Sequence, residues 1–135
     1  MDSDHAGDKE TRRSTVGQVA RLDKHVVYHK CNVLSVIGLS SAENEYYAIS
    51  VGACSGLGMK SRLEDWGVAS KLVVHSDSSA ARASTSRRCL GKRKHIQTRK
   101  LWTQERAAAG HLSFRRVRTN ANVADLLTKS SREGR

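Results

Sequence analysis

Leu39-Ser40-Ser41-Ala42-Glu43-Asn44-Glu45-Tyr46-Tyr47-Ala48-Ile49-Ser50 is the stretch from which the rest of the chain can be ordered. Ser40 and Glu43 stand three residues apart, the spacing of a capping box in which each side chain satisfies an orphan backbone N–H, so a helix is expected to begin here. Ala42, Tyr46, Ile49, Ala53 and Leu57 then recur at helical spacing and mark a core-facing stripe. Glu43 has a structural task in this reading. Glu45, on the flank of the stripe, reads on its own first as a solvated helix-face glutamate and only second as a functional acid.

The chain has 135 residues, enough for one domain with a core and too few for two. No apolar run is long enough to span a bilayer, and residues 1–10 are polar and acidic, so a soluble intracellular protein without a membrane association is expected. Cytoplasm and nucleus are not distinguished. Cys31, Cys54 and Cys89 are odd in number and widely spaced, which fits neither a disulfide framework nor a zinc knuckle.

Charge is unevenly distributed. Residues 82–118 carry twelve basic side chains against one acid, Glu105, a net of +11 that equals the formal charge of the whole chain. Such density normally meets a polyanion, most often nucleic acid, with affinity that falls as salt rises. Solubility, or nuclear import through Lys92-Arg93-Lys94, is the alternative use of the same residues.

Along the chain, residues 16–22, 26–28 and 33–39 read as three β segments of an antiparallel meander, with Asp23-Lys24 as a turn. His25 and His29 have metal-ligand spacing only if helical, and here they fall in a strand. The capped helix is expected over 42–65, with Gly67 as its stop and with Gly56 and Gly58 explained by close helix packing. Residues 71–77 form a compact strand that ends on Asp77, followed at once by a helix start. A carboxylate there is either an ordinary N-cap or a ligand at a strand's C-terminal end. A basic linker over 85–94, a helix over 96–109 closed by Gly110, a strand over 112–117 and a short helix over 123–129 complete the order, with Asn120 or Asn122 as cap of the last helix. Trp102 reads as core, because Leu101 and Ala108 share its helix.

This mixed α/β order, with Asp2, Glu45, Asp77 and Asp125 each at the start, end or flank of an element, resembles the ribonuclease H domain of copia-type LTR retrotransposon Pol polyproteins. The words that carry the resemblance are Asp2-Ser3-Asp4-His5-Ala6-Gly7-Asp8, the stretch 39–47, His75-Ser76-Asp77-Ser78-Ser79-Ala80, Lys94-His95-Ile96 and Ala124-Asp125-Leu126-Leu127-Thr128-Lys129. It covers nearly the whole chain. It implies a ribonuclease H-like fold over residues 1–129, with the first central strand largely missing, and a disordered tail over 130–135. It also implies that Asp2, Glu45, Asp77 and Asp125 hold two Mg²⁺ ions, with Mn²⁺ as a substitute, for hydrolysis of the RNA strand of an RNA/DNA hybrid.

The expected substrate contacts are Arg88, Lys92, Arg93, Lys94, His95 and Arg99. His95 reads equally as a packing residue at a helix start. The resemblance further implies a reverse transcriptase domain upstream in the parent polyprotein, and it leaves the oligomeric state open. The rival expectation is a catalytically inactive, basic nucleic-acid-binding remnant of such a domain. An integrase- or transposase-like nuclease fits less well, because the Glu45 helix comes between the first and third acids.

Overall fold

A computed structural model of the chain describes residues 1–4, 13–35, 37–38, 40–78 and 97–128, those at 97–100 by backbone only. The expected helix start after Asp77, the basic linker and the tail lie outside these residues. The elements are strands β1 (Asp2–Ser3), β2 (Thr15–Leu22) and β3 (His25–Val33), helix α1 (Ser41–Asp65), strand β4 (Leu72–Ser76), helix α2 (Gln97–Ala108), strand β5 (Leu112–Arg116), a single 3₁₀ turn (Thr119–Ala121) and the one-turn helix α3 (Asp125–Thr128). Among the described residues no helix is long and apolar enough to cross a membrane.

The strands form two sheets, an antiparallel β1-β2-β3 and a parallel β4-β5. This is a mixed α/β fold, as the sequence implied. The meander differs from expectation in its membership. β2 and β3 form one long hairpin around Asp23-Lys24, with Asp23 at φ 52°. The third strand is β1, and of the expected strand over 33–39 only Val33, the end of β3, is strand among the described residues. Leu34 still donates its N–H to the Ser14 carbonyl at 2.8 Å, and its side chain turns into the core.

Helix α1 begins where its capping residues require. Ser40 is extended at φ −151°, and its hydroxyl accepts the Glu43 N–H at 3.2 Å. Gly67, at φ +77°, supplies the left-handed residue that ends the helix. Between these ends the buried face is wider than the predicted stripe, because α1 lies across both sheets. Ile49 and Ala53 pack with Val74 and Leu112 of the parallel sheet. Tyr47 and Ala48, one step round the helix, pack with Val16 and Leu34 beside the antiparallel sheet. Met1 contacts both clusters. Ala42, expected in the stripe, is exposed. Trp102 is half-buried against the first cluster, as its helix pattern implied, and carries the Arg106 guanidinium 5.9 Å from its ring centre.

The last helix starts later than expected, at Asp125 rather than at residue 123, and residue 129 lies outside the described residues. Asn122 does not serve as its side-chain cap; its amide donates to the Met1 carbonyl at 3.1 Å. A Cβ on Gly17 would come within 2.6 Å of the Ala124 carbonyl oxygen, so only glycine lets the entry to α3 lie this close to β2. That contact places α3 beside β1.

Candidate functional site

Asp2, Glu45 and Asp77 converge from three separate parts of the chain. Asp2 lies on β1, Glu45 near the start of α1, and Asp77 one residue beyond the end of β4. Each offers a carboxylate oxygen within 4.8 Å of the other two. Asp2 is buried, while Glu45 and Asp77 are half-buried. Cap position and strand length explain the meeting: Ser40 sets where α1 starts, and the five residues of β4 carry the chain past the same point. The fourth predicted acid, Asp125, opens α3 and stands outside this trio, close enough for its charge to act on Asp2.

Hydroxyl groups hold two of the carboxylates. Ser3 Oγ donates to Glu45 Oε1 at 2.9 Å, and Thr128 Oγ1 donates to Asp2 Oδ2. Glu45 Oε2 is buried with no hydrogen-bond partner among the described residues. The Met1 ammonium donates to the His75 carbonyl at 3.1 Å, which brings a positive charge to the margin of the cluster. None of these three groups was singled out from the sequence. Ser3 and Thr128 have signals in hindsight, one adjacent to Asp2 and the other three residues after Asp125. The Met1 amine has none.

Electrostatics follows from crowding and burial. The Glu45 carboxyl is pushed up to about 7, first by burial and then by the Asp2 and Asp77 charges, against the opposing Ser3 hydrogen bond. Asp2 is also raised, mainly by burial and further by Asp125 and Asp77, while Thr128 and the amino terminus pull it down. Burial lowers the Met1 ammonium, opposed by Asp2, Glu45 and Asp77. Three oxygen donors, one with an unused buried lone-pair face, form a set that can hold a metal ion, since a bound cation removes the repulsion that raises these pKa values.

This predicts a pH signature without metal. The folded pKa of Glu45 lies above its ordinary value of 4.5, so its contribution to stability is complete below about 4.5 and is lost as pH rises through about 7. Glu45→Gln should therefore raise the melting temperature relative to the parent at pH 8 and lose that advantage at pH 4.5, in thermal unfolding scans with chelator present. A difference that does not vary with pH would contradict the assigned shift.

The remaining predicted contacts are less defined. Arg88, Lys92, Arg93, Lys94 and His95 lie outside the described residues, and Arg99 falls in the first turn of α2, described by backbone only. His25 and His29 are exposed on β3, in strand rather than helical conformation. Cys31 and Cys54 are exposed and take part in no disulfide, and the Cys31 thiol donates to the Leu127 carbonyl at 3.1 Å. No family profile matches the chain. It is 31% identical over 130 residues to the retrovirus-related Pol polyprotein from transposon TNT 1-94 of Nicotiana tabacum, an alignment that takes in 95% of this chain and spans about a tenth, 10%, of that protein. Along nearly its whole length, the chain is thus similar to a segment of a retrotransposon Pol polyprotein.

Proposed function

We propose that the chain is the ribonuclease H-like part of such a polyprotein and hydrolyses the RNA strand of RNA/DNA hybrids with two Mg²⁺ ions. The observation that carries this reading is the convergence of Asp2, Glu45 and Asp77 within 4.8 Å, with Asp125 close behind. All four are oxygen donors, the ligand type that Mg²⁺ and Mn²⁺ prefer. When bound, such a pair of ions supplies the charge that activates a water and stabilises the leaving 3′ oxygen. The protein's own part is to hold the carboxylates: Ser3 orients Glu45, Thr128 orients Asp2, and β4 delivers Asp77.

Two further observations support the reading. The Met1 amine bonds the His75 carbonyl, which sets the start of β1 beside β4, an adjacency that fits the strand order of a ribonuclease H-like sheet. Arg115 and Arg116 are exposed on β5, with Arg116 in register with Ser76 one residue before Asp77. They add positive charge to the strand paired with β4, a surface suited to a nucleic-acid backbone. Recognition of 2′-hydroxyl groups in the wide minor groove of an A-like hybrid would select the RNA strand without reading base sequence. In the polyprotein, the partner that makes such hybrids is a reverse transcriptase domain.

The assay is cleavage of a labelled RNA/DNA hybrid, beside duplex DNA and single-stranded RNA, with Mg²⁺ or with chelator. Cleavage confined to the RNA of the hybrid and dependent on Mg²⁺ is the expected result. Salt-sensitive binding of the hybrid with no cleavage would replace this reading with that of an inactive nucleic-acid-binding remnant, and equal binding to duplex DNA would favour an integrase-like one.

A further inference from the structure

Asp2-Ser3-Asp4 places two carboxylates two residues apart, a spacing at which both can be read as ligands of one ion. The structure gives them different surroundings. Asp2 meets Glu45 and Asp77 within 4.8 Å, and Asp4 does not belong to that group. Asp4 is bound instead to the start of β2, and twice over. Its backbone N–H donates to the Thr15 carbonyl at 3.0 Å, and its Oδ1 accepts the Thr15 N–H.

Opposed residues of an antiparallel ladder alternate between pairs that exchange two main-chain bonds and pairs that exchange none. Asp4 and Thr15 form a bonded pair in which the side chain takes the place of the main-chain carbonyl as acceptor. Asp2 and Gly17, two residues back in the same register, form the next such pair. Among the described residues β1 is therefore joined to β2 by two bonded pairs, and a side chain closes one of them. At the other end of the strand the Asn122 amide holds the Met1 carbonyl. This short strand carries two groups of the acidic site: the Asp2 carboxylate, and the Ser3 hydroxyl that donates to Glu45.

We propose that Asp4 is a positioning residue of the acidic site: by clamping Thr15 it fixes the end of β1, and through β1 it places Asp2 and Ser3, without itself being a ligand. The proposal rests on the metal-site reading given above. The clamp requires an acceptor oxygen at the end of the residue 4 side chain. A ligand of Mg²⁺ or Mn²⁺ at that position would draw on its negative charge as well. Asparagine separates the two roles, because its amide oxygen can accept the Thr15 N–H while the charge is gone.

Mn²⁺ binding to the full chain, measured by titration calorimetry, is one readout, and amide hydrogen exchange of the metal-free protein is the other. Asp4→Ala should weaken Mn²⁺ binding by about 10-fold or more, the scale for removing a group that orients a ligand, and should speed exchange at the Thr15 amide. Asp4→Asn should stay within about threefold of the parent in both, since the acceptor is kept. Asp77→Asn is the reference for a lost ligand and should weaken Mn²⁺ binding with Thr15 exchange unchanged. Mn²⁺ binding as weak in Asp4→Asn as in Asp4→Ala, with Thr15 still protected, would make Asp4 a ligand and overturn the proposal. Parent-like Mn²⁺ binding by Asp4→Ala would overturn it too. The Asp4→Asn comparison decides between the roles even if Asp4→Ala does not fold. A parent chain that binds no Mn²⁺ would refute the metal-site reading and with it the role assigned to Asp4, and the clamp would then show only as faster Thr15 exchange in Asp4→Ala.

Discussion

Asp77→Asn is expected to reduce Mg²⁺-dependent hydrolysis of the RNA strand of a hybrid by at least about 10³-fold, the scale of losing a charge that stabilises a phosphoryl transition state. The substitution keeps the shape of the side chain and removes its negative charge. Two carboxylates of the trio then remain to face the cation, and the oxygen contributed from the end of β4 becomes a neutral amide of weak affinity for Mg²⁺. Stability should move the other way. The Asp77 charge raises the carboxyls of both Glu45 and Asp2, so its removal relieves repulsion in the metal-free protein. Single-turnover cleavage and thermal unfolding with chelator should thus show activity lost with the melting temperature held or increased. Activity above a tenth of the parent's would take Asp77 out of the site. A fall in both activity and melting temperature would make it a structural cap of β4 instead.

Ile49→Ala is expected to cost about 3 kcal/mol of folding stability, within the range for deleting a buried isoleucine. Ile49 is fully buried on α1 among Ala53, Val74 and Leu112, where it ties the helix to both strands of the parallel sheet. Those strands share their only described pairing with each other, so the helix supplies much of what holds them in place. For a domain of this size such a loss lowers the melting temperature by roughly 10 °C or more. Urea unfolding would measure it, and a cost under about 1 kcal/mol would mean that the neighbouring side chains collapse into the space. Two turns earlier in the same helix, the exposed Ala42 offers a control, where a polar replacement should have little effect.

Ile49 stands in α1, the helix that the sequence placed most clearly. The start of α1 was legible because capping is local: Ser40 and Glu43 are three residues apart, and their hydrogen bond needs nothing from the rest of the chain. The end at Gly67 was legible for the same reason. The compact strand before Asp77, the hairpin turn at Asp23-Lys24 and the half-buried Trp102 also follow from short-range pattern. The third strand of the meander was misplaced, because β-branched residues over 33–39 satisfy a local strand pattern while the pairing edge of β2 is taken by β1, far away in sequence.

The acids are a different case. Their residue types and order suggested a site through resemblance to a family, yet nothing local in Asp2, Glu45 or Asp77 distinguishes a ligand from a cap or a solvated side chain. Their approach to within 4.8 Å depends on β1 pairing with β2, on α1 crossing both sheets and on the length of β4. The placements of the Ser3 and Thr128 hydroxyls and of the Met1 amine likewise arise from contacts between residues 42 to 126 positions apart. The sequence by itself determined the mixed α/β class, the limits of α1 and the basic character of the chain, because these depend on neighbours within a turn or on composition. Only the tertiary structure decided which carboxylates meet, which hydroxyls hold them and which strand pairs with β2, because charge repulsion, burial and strand pairing act between segments that meet only when the chain is folded.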